Sequence, residues 1–212
     1  MEKINDWTPQ VVILGAGDYP TSPLPLHFLR TTPLVVCCDG AAEAYIQYEG
    51  KAPWRIVGDG DSLPPHLRQL YAPILRLTPH DQDTNDQTKA TRYVHRHHLT
   101  RIAYLAATGR REDHTLGNIS LLIDYARMGL DVRMITDHGI FHPAPTGHIT
   151  LHLPLRTQLS IFAFGATHLQ ATGLRYPIHD FTSWWQGTLN ETTLPQVIIQ
   201  AQGPFLVYYT TE

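Results

Sequence analysis

The sequence has very little cysteine. Its 212 residues include only Cys37 and Cys38, which are neighbours within an apolar run. Adjacent cysteines do not suit an ordinary disulfide, and they lack the spacing of zinc ligands. We interpret both as buried strand residues in a reducing compartment, and we therefore expect the chain to reside in the cytoplasm.

The sequence also has little excess charge of either sign. Sixteen Lys and Arg against nineteen Asp and Glu give a formal net charge of -3. Proteins that bind the nucleic-acid backbone rely on many positive charges, so we do not expect nucleic acid as a partner. No apolar run approaches the roughly 20 residues that cross a bilayer, and the first residues lack a secretion signal, so we expect no membrane partner.

Apolar residues make up 42% of the chain, which is enough for a sizeable core. Up to about residue 136, short runs rich in β-branched residues alternate with segments of helical periodicity. This alternation is typical of βα units in a mostly parallel sheet. The predicted strands are 11–14, 34–38, 55–57, 74–77, 102–106 and 132–135, and the two clearest helices are 85–98 and 113–128.

The pattern changes after residue 145 to short alternating stretches broken by Pro and Gly, which indicates antiparallel β structure. Residues 138–147 contain two Pro and two Gly, so we expect the seam between the two halves there. We therefore predict a mostly parallel, Rossmann-like α/β domain over 1–140, with helices on both faces of its sheet. A smaller antiparallel β-sandwich domain follows over 141–212.

Acidic residues and glycines follow the predicted parallel strands where each strand ends. In an open parallel sheet, ligands bind in the crevice beyond these carboxyl ends. The segments that fall there are GAGD at 15–18, DGA at 39–41, GDGDS at 58–62, DQDTND at 81–86 and TGRREDH at 108–114. The sheet topology therefore predicts that all of them meet at one rim.

Asp59 and Asp61 are one residue apart, so in extended backbone both carboxylates lie on one face, with their Cα atoms roughly 6 to 7 Å apart. A divalent cation would relieve their repulsion, to which Asp81, Asp83 and Asp86 add. Oxygen ligands favour Mg²⁺ over Zn²⁺, and Mg²⁺ binds through a few carboxylates together with substrate phosphates. The predicted partner is a metal-bound polyphosphate.

Several other residues suit phosphate binding. The glycines at 15, 17, 58, 60 and 109 allow backbone N–H groups to approach phosphate oxygens, and Lys89 and Arg111 add cationic contacts. The alternative for the acidic residues is helix capping, by Asp83 or Thr84 in one helix and by Asp113 in the other. One acidic pair after a strand is more often a turn or a cap, but five convergent strand ends favour a metal site.

In order and spacing, these motifs resemble those of the thiamine pyrophosphokinase family. The similar segments are CDGA at 38–41, GDGDS at 58–62, TPHDQDTNDQTK at 78–89 and TGRREDHTLGN at 108–118 in the first half, with GLRYP at 173–177 and GTLNE at 187–191 in the second. The chain departs from the family pattern at Asn85, which replaces Thr, and at Arg110, which replaces Gly. It also has Leu189 where the family has a Ser that contacts thiamine.

The resemblance implies transfer of the terminal diphosphate of ATP to the thiamine hydroxyl, which gives thiamine diphosphate and AMP. It also implies a Mg²⁺ requirement and a homodimer with thiamine bound between the subunits. Our hypothesis is that Asp59, Asp61 and Asp86 hold the Mg²⁺ ion, with Asp81 reaching a metal-bound water. Either Asp86 or Asp39 accepts the proton of the thiamine hydroxyl.

The remaining candidates are contacts to the two substrates. For ATP and its phosphates they are Gly15, Lys89, Arg111 and Asp113, the last of which orients Arg111 or contacts the nucleotide. For thiamine they are Gln82, Asn190, and either Trp184 or Trp185 stacked on the cationic substrate. The two tryptophans are equally compatible with an ordinary sandwich core.

Two other functions fit the same residues. One is a Mg²⁺-dependent phosphohydrolase or nucleotidyltransferase that uses the acidic strand ends on another substrate. The other is a thiamine-binding protein without catalytic activity. The products formed from ATP distinguish these alternatives.

Overall fold

The computed structural model describes residues 7–78 and 83–211. The chain divides into two compact units. We call Pro9–Leu121 together with Met134–Asp137 the parallel unit. The other described residues, namely 7–8, 122–133 and 138–211, form the antiparallel unit.

The parallel unit contains a sheet whose strands all run in the same direction. Its strands are β1 (Val11–Leu14), β2 (Leu34–Cys38), β3 (Arg55–Gly58), β4 (Leu75–Leu77) and β5 (Arg101–Leu105), in the spatial order β5-β1-β2-β3-β4. Strand β1 is buried along its whole length, as expected for a strand covered on both faces. The strand order reverses at β1, and parallel sheets bind their ligands beside such a reversal.

Among the described residues up to 127, five α-helices accompany these strands. They are α1 (Pro23–Thr31), α2 (Ala41–Glu49), α3 (Pro65–Leu70), α4 (Asp86–Arg96) and α5 (Glu112–Arg127). Helix α4 packs against β1, β2 and β3 through a buried stripe that includes Ala90 and Val94. The predicted helices at 85–98 and 113–128 are confirmed with slightly different ends.

The N-cap of α4 is neither of the two residues named in the capping alternative. Asn85 caps this helix instead of Asp83 or Thr84, because its side chain accepts a hydrogen bond of 2.9 Å from the Thr88 amide. Asn85 has the extended backbone that an N-cap requires. The cap therefore determines where the first turn of α4 begins, with Asp86 in that turn.

The antiparallel unit contains two sheets. Its strands are β7 (Gly139–Ala144), β8 (His148–His152), β9 (Gln158–Ala163), β10 (Thr167–Thr172), β11 (Asn190–Glu191), β12 (Gln196–Gln202) and β13 (Phe205–Thr210). One sheet has the order β11-β9-β13-β7 and the other β10-β12-β8, with every pair antiparallel. Alternate residues such as Ile161 in β9 and Ile199 in β12 are fully buried, which is the pattern of a β-sandwich.

The predicted strands and the predicted fold class are confirmed. All six strands predicted in the first half are present within about one residue of their expected ends, the last being β6 (Asp131–Ile135). The expected seam at 138–147 stays a prediction; within that segment, Gly139–Ala144 form β7 and pair with β13 over six residues. The sequence did not predict this strand, because β7 contains a Pro and its buried residues do not alternate.

The structure confirms that both cysteines are buried in a strand. Cys37 and Cys38 are buried on β2, and both are free thiols. Of the helices in the part of the chain that the structure describes, none is long and apolar enough to span a bilayer.

Candidate active site

A buried lysine connects two of the acidic strand ends. Lys89, one turn into α4, is only 5% exposed. Its Nζ lies 3.1 Å from Asp86 Oδ1 and 3.6 Å from Asp59 Oδ2. The segments after β3 and β4 therefore meet at one ammonium group, as the sheet topology predicted.

This ammonium changes the charge argument made from the sequence. We expected a divalent ion to relieve the repulsion between the carboxylates, but Lys89 already lies between two of them. Burial alone lowers the pKa of Lys89, yet the hydrogen bond and charge of Asp86, with the charge of Asp59, raise it above its ordinary value. The group therefore stays cationic and holds the two carboxylates together.

Asp86 is also strongly affected by its surroundings. Burial raises the pKa of this carboxyl above its ordinary value, although the hydrogen bond to Lys89 lowers it. The negative charges of Asp59 and Asp61 add to the increase. Asp86 thus binds a proton more readily than an exposed aspartate, which is the property required of a general base.

Asp39 lies at the end of β2 and is only 2% exposed. Its Oδ2 accepts a hydrogen bond of 2.8 Å from the Ser62 amide, whereas its buried Oδ1 has no partner among the described residues. Burial raises the pKa of Asp39 above its ordinary value despite the bond from Ser62. An unpartnered buried oxygen destabilises the fold, and such groups concentrate at functional sites.

The glycines after β1 permit close contact with the end of β5. The Gly15 amide donates to the Leu105 carbonyl at 2.8 Å, and the Gly17 amide donates to the Ala106 carbonyl at 2.7 Å. A Cβ atom on Gly15 would lie 2.6 Å from the Ala106 carbonyl oxygen, so this position requires glycine. We expected the Gly15 N–H to face a phosphate, but this pairing with the end of β5 occupies it.

Two cavities open at the strand ends, and both lie within the parallel unit. The smaller has a volume of about 250 Å³ and is lined by Asp59, Asp86 and Lys89, with Thr84, Asn85, Gln87, Cys38, His114 and Asn118 around them. The larger has a volume of about 1060 Å³ and is lined by residues 15–21, part of α2, and Arg110. Gly15 and Ala16 line both cavities, so the two are adjacent.

Two tyrosines form part of the wall of the larger cavity. The rings of Tyr19 and Tyr48 are 4.7 Å apart between centroids, and Tyr48 is 62% exposed. The Tyr19 hydroxyl donates to Glu49 at 3.2 Å, and Glu49 also pairs with Arg30 at 3.1 Å. Burial and the charge of Glu49 raise the pKa of Tyr19, so its hydroxyl remains a donor.

Arg110 and Arg111 have different environments. Arg110 lines the larger cavity and has a left-handed backbone with φ of 56°, which explains why glycine suits this position in the family motif.

Arg111 forms an exposed ion pair with Asp113, in which Arg111 Nε lies 3.1 Å from Asp113 Oδ1. The bond from Arg111 lowers the pKa of Asp113 to about 2. Asp113 lies within α5, so it does not cap that helix.

The predicted magnesium ligands are assembled only in part. Within residues 7–78 and 83–211, no group of three His, Cys, Asp or Glu side chains is placed to hold a metal ion. Asp61 is exposed, and its amide donates to Asp59 Oδ1 at 3.1 Å. Asp81 lies outside the described residues. Asp59 and Asp86 still fit Mg²⁺, because this ion binds through one or two carboxylates and retains water and phosphate ligands.

The two tryptophans are not part of the sandwich core, so that interpretation is wrong. They begin the 3-10 helix Trp184–Gly187. Trp184 is 46% exposed, lies against Phe162 and Phe164, and donates from Nε1 to the Ala163 carbonyl at 3.1 Å. Trp185 is 73% exposed. Only Trp185 therefore presents most of its ring to an incoming ligand.

Asn190 has a structural role that the sequence did not predict. It is 7% exposed, and its Nδ2 donates to the Tyr176 carbonyl at 2.8 Å. Its Oδ1 accepts from the amides of Tyr176 and Glu191 at 3.1 and 2.9 Å. These bonds use most of the hydrogen-bond donors and acceptors of the Asn190 carboxamide. The expected contact of Asn190 with thiamine therefore does not fit this arrangement. The other polar candidate, Gln82, lies outside the described residues.

Sequence reasoning missed several residues that shape this region. Tyr19 directly follows the GAGD segment, so its place after β1 was a signal for its position in the cavity wall. Tyr48 and Ser62 carried no comparable signal, because nothing in the local pattern shows what a helix face or a loop amide contacts. Asp137 was missed for the same reason, although it also lines the larger cavity.

Two family models cover most of the chain. Residues 26–134 match the model described as "Thiamin pyrophosphokinase, catalytic domain", and residues 139–208 match "Thiamin pyrophosphokinase, substrate-binding domain". Thiamine pyrophosphokinase 1 of rice (Oryza sativa subsp. japonica) is 28% identical over an alignment 152 residues long, which covers 65% of this chain. The chain thus aligns with 57% of the rice protein's length.

Solved structures show the same fold. The thiamine pyrophosphokinase of Bacillus subtilis has a TM-score of 0.76 and 20% identity, with 95% of this chain and 99% of that chain covered. Yeast thiamin pyrophosphokinase has a TM-score of 0.77 and 15% identity, with 94% and 85% covered.

Replacing Asp39 with Asn is expected to raise the free energy of unfolding at pH 7 by about 1 kcal/mol, because it removes an unpartnered buried charge. Asn keeps an acceptor for the Ser62 amide and tolerates the left-handed backbone at φ 40°. Because folding raises the pKa of Asp39, the wild type loses stability as pH rises above the unfolded value of about 3.9, and the variant lacks this loss. Urea unfolding at pH 4 and pH 7 measures both effects.

The matched control is Asp124→Asn, at an exposed aspartate whose carboxylate pairs with Arg127 at 3.4 Å. We expect it to change stability by less than about 0.5 kcal/mol. A less stable Asp39→Asn protein at pH 7 would contradict the interpretation of Oδ1 as an unpartnered charge.

Replacing Asn190 with Ala is expected to lower the free energy of unfolding by about 3 kcal/mol, because the buried carboxamide makes three hydrogen bonds to the backbone of Tyr176 and Glu191 and all of them are lost. Thermal or urea unfolding monitored by circular dichroism measures the loss. Gln170→Ala, at an exposed position of β10, is the control and should change stability by less than about 0.5 kcal/mol. Equal effects of the two substitutions would show that Asn190 does not secure this segment.

Proposed function

The chain belongs to the thiamin pyrophosphokinase family, and we propose that it transfers the terminal diphosphate of ATP to the hydroxyl group of thiamine. The products are thiamine diphosphate and AMP. The observation that carries this proposal is the match of both halves of the chain, one to the catalytic and the other to the substrate-binding model. The cluster of Asp59, Asp86 and Lys89 beside a cavity supports it.

We assign the phosphates of ATP to the smaller cavity and its nucleoside to the larger one. The two cavities adjoin at Gly15 and Ala16, which suits one elongated ligand that extends through both. The larger cavity is of the size that typically holds a small molecule, about 300 to 1,000 Å³. The exposed ring of Tyr48 offers a face on which a nucleobase can stack.

The fit of the carboxylates supports Mg²⁺ as the metal. Asp59 and Asp86 would hold the ion, with Asp61 and Asp81 as the other candidates from the sequence. When bound, Mg²⁺ neutralises charge on the phosphates and so favours departure of AMP. Arg111 stays our proposal for a further phosphate contact, with Asp113 orienting its guanidinium group.

Of the two candidate bases, we favour Asp86. It lines the smaller cavity, whereas Asp39 is absent from the described residues that line either cavity. Burial raises the pKa of Asp86, which strengthens it as a proton acceptor. Asp86 would take the proton of the thiamine hydroxyl while the oxygen attacks the β-phosphorus. Asp39 lies behind the rim, where its bond to Ser62 helps to shape the loop after β3.

The antiparallel unit contributes thiamine binding in this proposal. Trp185 is the better candidate for stacking, because Trp184 is held by Phe162, Phe164 and the Ala163 carbonyl.

We also propose a homodimer, since Trp185 and Leu189 expose large apolar side chains that a second copy would cover. For the location we propose the cytoplasm, since Cys37 and Cys38 are both free thiols.

Incubation with ATP, Mg²⁺ and thiamine is expected to yield AMP and thiamine diphosphate in equal amounts, measured by chromatography that separates AMP from ADP. Asp86→Asn should lower turnover by at least about 100-fold, because it removes the proposed base and metal ligand. Asp124→Asn should retain full activity. Release of phosphate or ADP without thiamine would instead indicate a phosphohydrolase.

Replacing Trp185 with Ala is expected to raise the KM for thiamine by about tenfold, which corresponds to a cation–π contact of about 1.4 kcal/mol. The KM for ATP should stay within about twofold, because the nucleotide is assigned to the parallel unit. Steady-state kinetics with each substrate varied in turn measures both values. Trp184→Ala serves as the comparison, and a larger thiamine effect in that variant would assign the stacking to Trp184 instead.

A further inference from the structure

The loop between β1 and α1 is held at its far end by an aspartate 115 residues away in the sequence. Asp137 Oδ1 accepts hydrogen bonds of 3.0 Å from the amides of Thr21 and Ser22. Its Oδ2 accepts from the Thr21 amide at 3.0 Å and from the Thr21 hydroxyl. The Ser22 hydroxyl donates to the Asp137 carbonyl at 3.0 Å. We call these contacts the Asp137 clasp, and all of them lie within the parallel unit.

The clasp acts on a segment that forms a wall of the larger cavity. Residues 15–21 line that cavity, and so does Asp137 itself. The start of the segment is held by backbone bonds to the end of β5, and Tyr19 in its middle bonds to Glu49. The clasp secures the part of the wall that enters α1.

Helix α1 supplies no carboxylate of its own at its start. Its N-cap residue, Ser22, makes no side-chain capping bond, and its first turn contains no acidic residue. The carboxylate of Asp137 supplies an acceptor for the Ser22 amide there, and a negative charge near a helix N-terminus is stabilising. Asp137 therefore sets both the position of the loop and the beginning of α1.

The residues of the clasp lie outside both matched segments. The catalytic match covers 26–134 and the substrate-binding match begins at 139, so neither includes Thr21, Ser22 or Asp137. The family assignment consequently gives these residues no role. Their role has to be inferred from their contacts in this chain.

We propose that Asp137 is a positioning residue for the nucleotide, because its clasp holds residues 15–21 as the wall against which the nucleoside binds. This inference rests on the proposed function, which places the nucleoside in the larger cavity. Because the clasp already orders this wall in the free protein, ATP binding does not carry the entropy cost of ordering it. Loss of the clasp adds that cost to ATP binding and therefore weakens it. Asp137 is not among the residues lining the smaller cavity, so the chemical step should be unaffected.

The experiment is titration calorimetry of the full chain with ATP and Mg²⁺ in the absence of thiamine. Asp137→Ala should weaken ATP binding about tenfold, and Thr21→Val, which removes only the hydroxyl donor, about threefold. Thr21→Ser keeps the hydroxyl and should restore wild-type affinity. Asp137→Asn should fall between Asp137→Ala and the wild type, because its remaining oxygen can still accept from the backbone amides.

Two further measurements separate positioning from general stability. The KM for ATP should rise by the same factors, while kcat and the KM for thiamine stay within about twofold. Amide hydrogen exchange over residues 17–22 should be faster in Asp137→Ala than in the wild type. Asp124→Ala, which removes an exposed aspartate outside both cavities, should change none of these quantities.

Several results would overturn the inference. One is ATP affinity within twofold of wild type in a folded Asp137→Ala protein, even if its loop exchanges faster, because the clasp would then be only structural. If Asp137→Ala does not fold, Thr21→Val and Asp137→Asn decide the question, and unchanged affinity in both would overturn it. A wild-type chain that binds no ATP would overturn the proposed function and, with it, this inference.

Discussion

The buried ammonium of Lys89 is the interaction on which the acidic rim depends. It lies between Asp86 and Asp59, so it brings together the start of α4 and the loop after β3. Without this cation, the two carboxylates would repel each other in a region of low dielectric, and removal of one partner from a buried pair is strongly destabilising. The N-cap at Asn85 sets this geometry, because it places Asp86 and Lys89 one turn apart on the same side of α4.

The second constraint is the close approach of the loop after β1 to the end of β5. It uses the amides of Gly15 and Gly17, and it places the loop where the two cavities adjoin. The two ends of this loop are held by different kinds of contact. Backbone pairing holds the side near the acidic rim, whereas side chains hold the far side, through Glu49 and Asp137. We infer that the rim is responsible for the chemistry and the far wall for nucleotide affinity.

The pattern of apolar residues was sufficient to predict the fold class and the positions of the parallel strands. Buried strands such as Val11–Leu14 are continuous apolar runs, and α4 has a stripe at helical spacing. The errors occurred where local signals compete. Asp83, Thr84 and Asn85 are all residue types that can cap α4, and only the structure shows that Asn85 does so, through its backbone conformation and its bond from the Thr88 amide. The prolines and glycines near residue 143 hid a strand signal, and only the long-range pairing with β13 shows that the segment is a strand.

The sequence by itself therefore determined the order of the elements, the family and the set of acidic strand ends, because periodicity and motif spacing are local properties of the chain. The tertiary structure alone decided which of these side chains are already paired. Lys89 is paired with carboxylates, and Asn190 is hydrogen-bonded to the backbone of Tyr176. Trp185 exposes most of its side chain, whereas Trp184 exposes less than half. The physical reason is that burial and hydrogen-bond partners are set by residues distant in sequence, which local pattern does not specify.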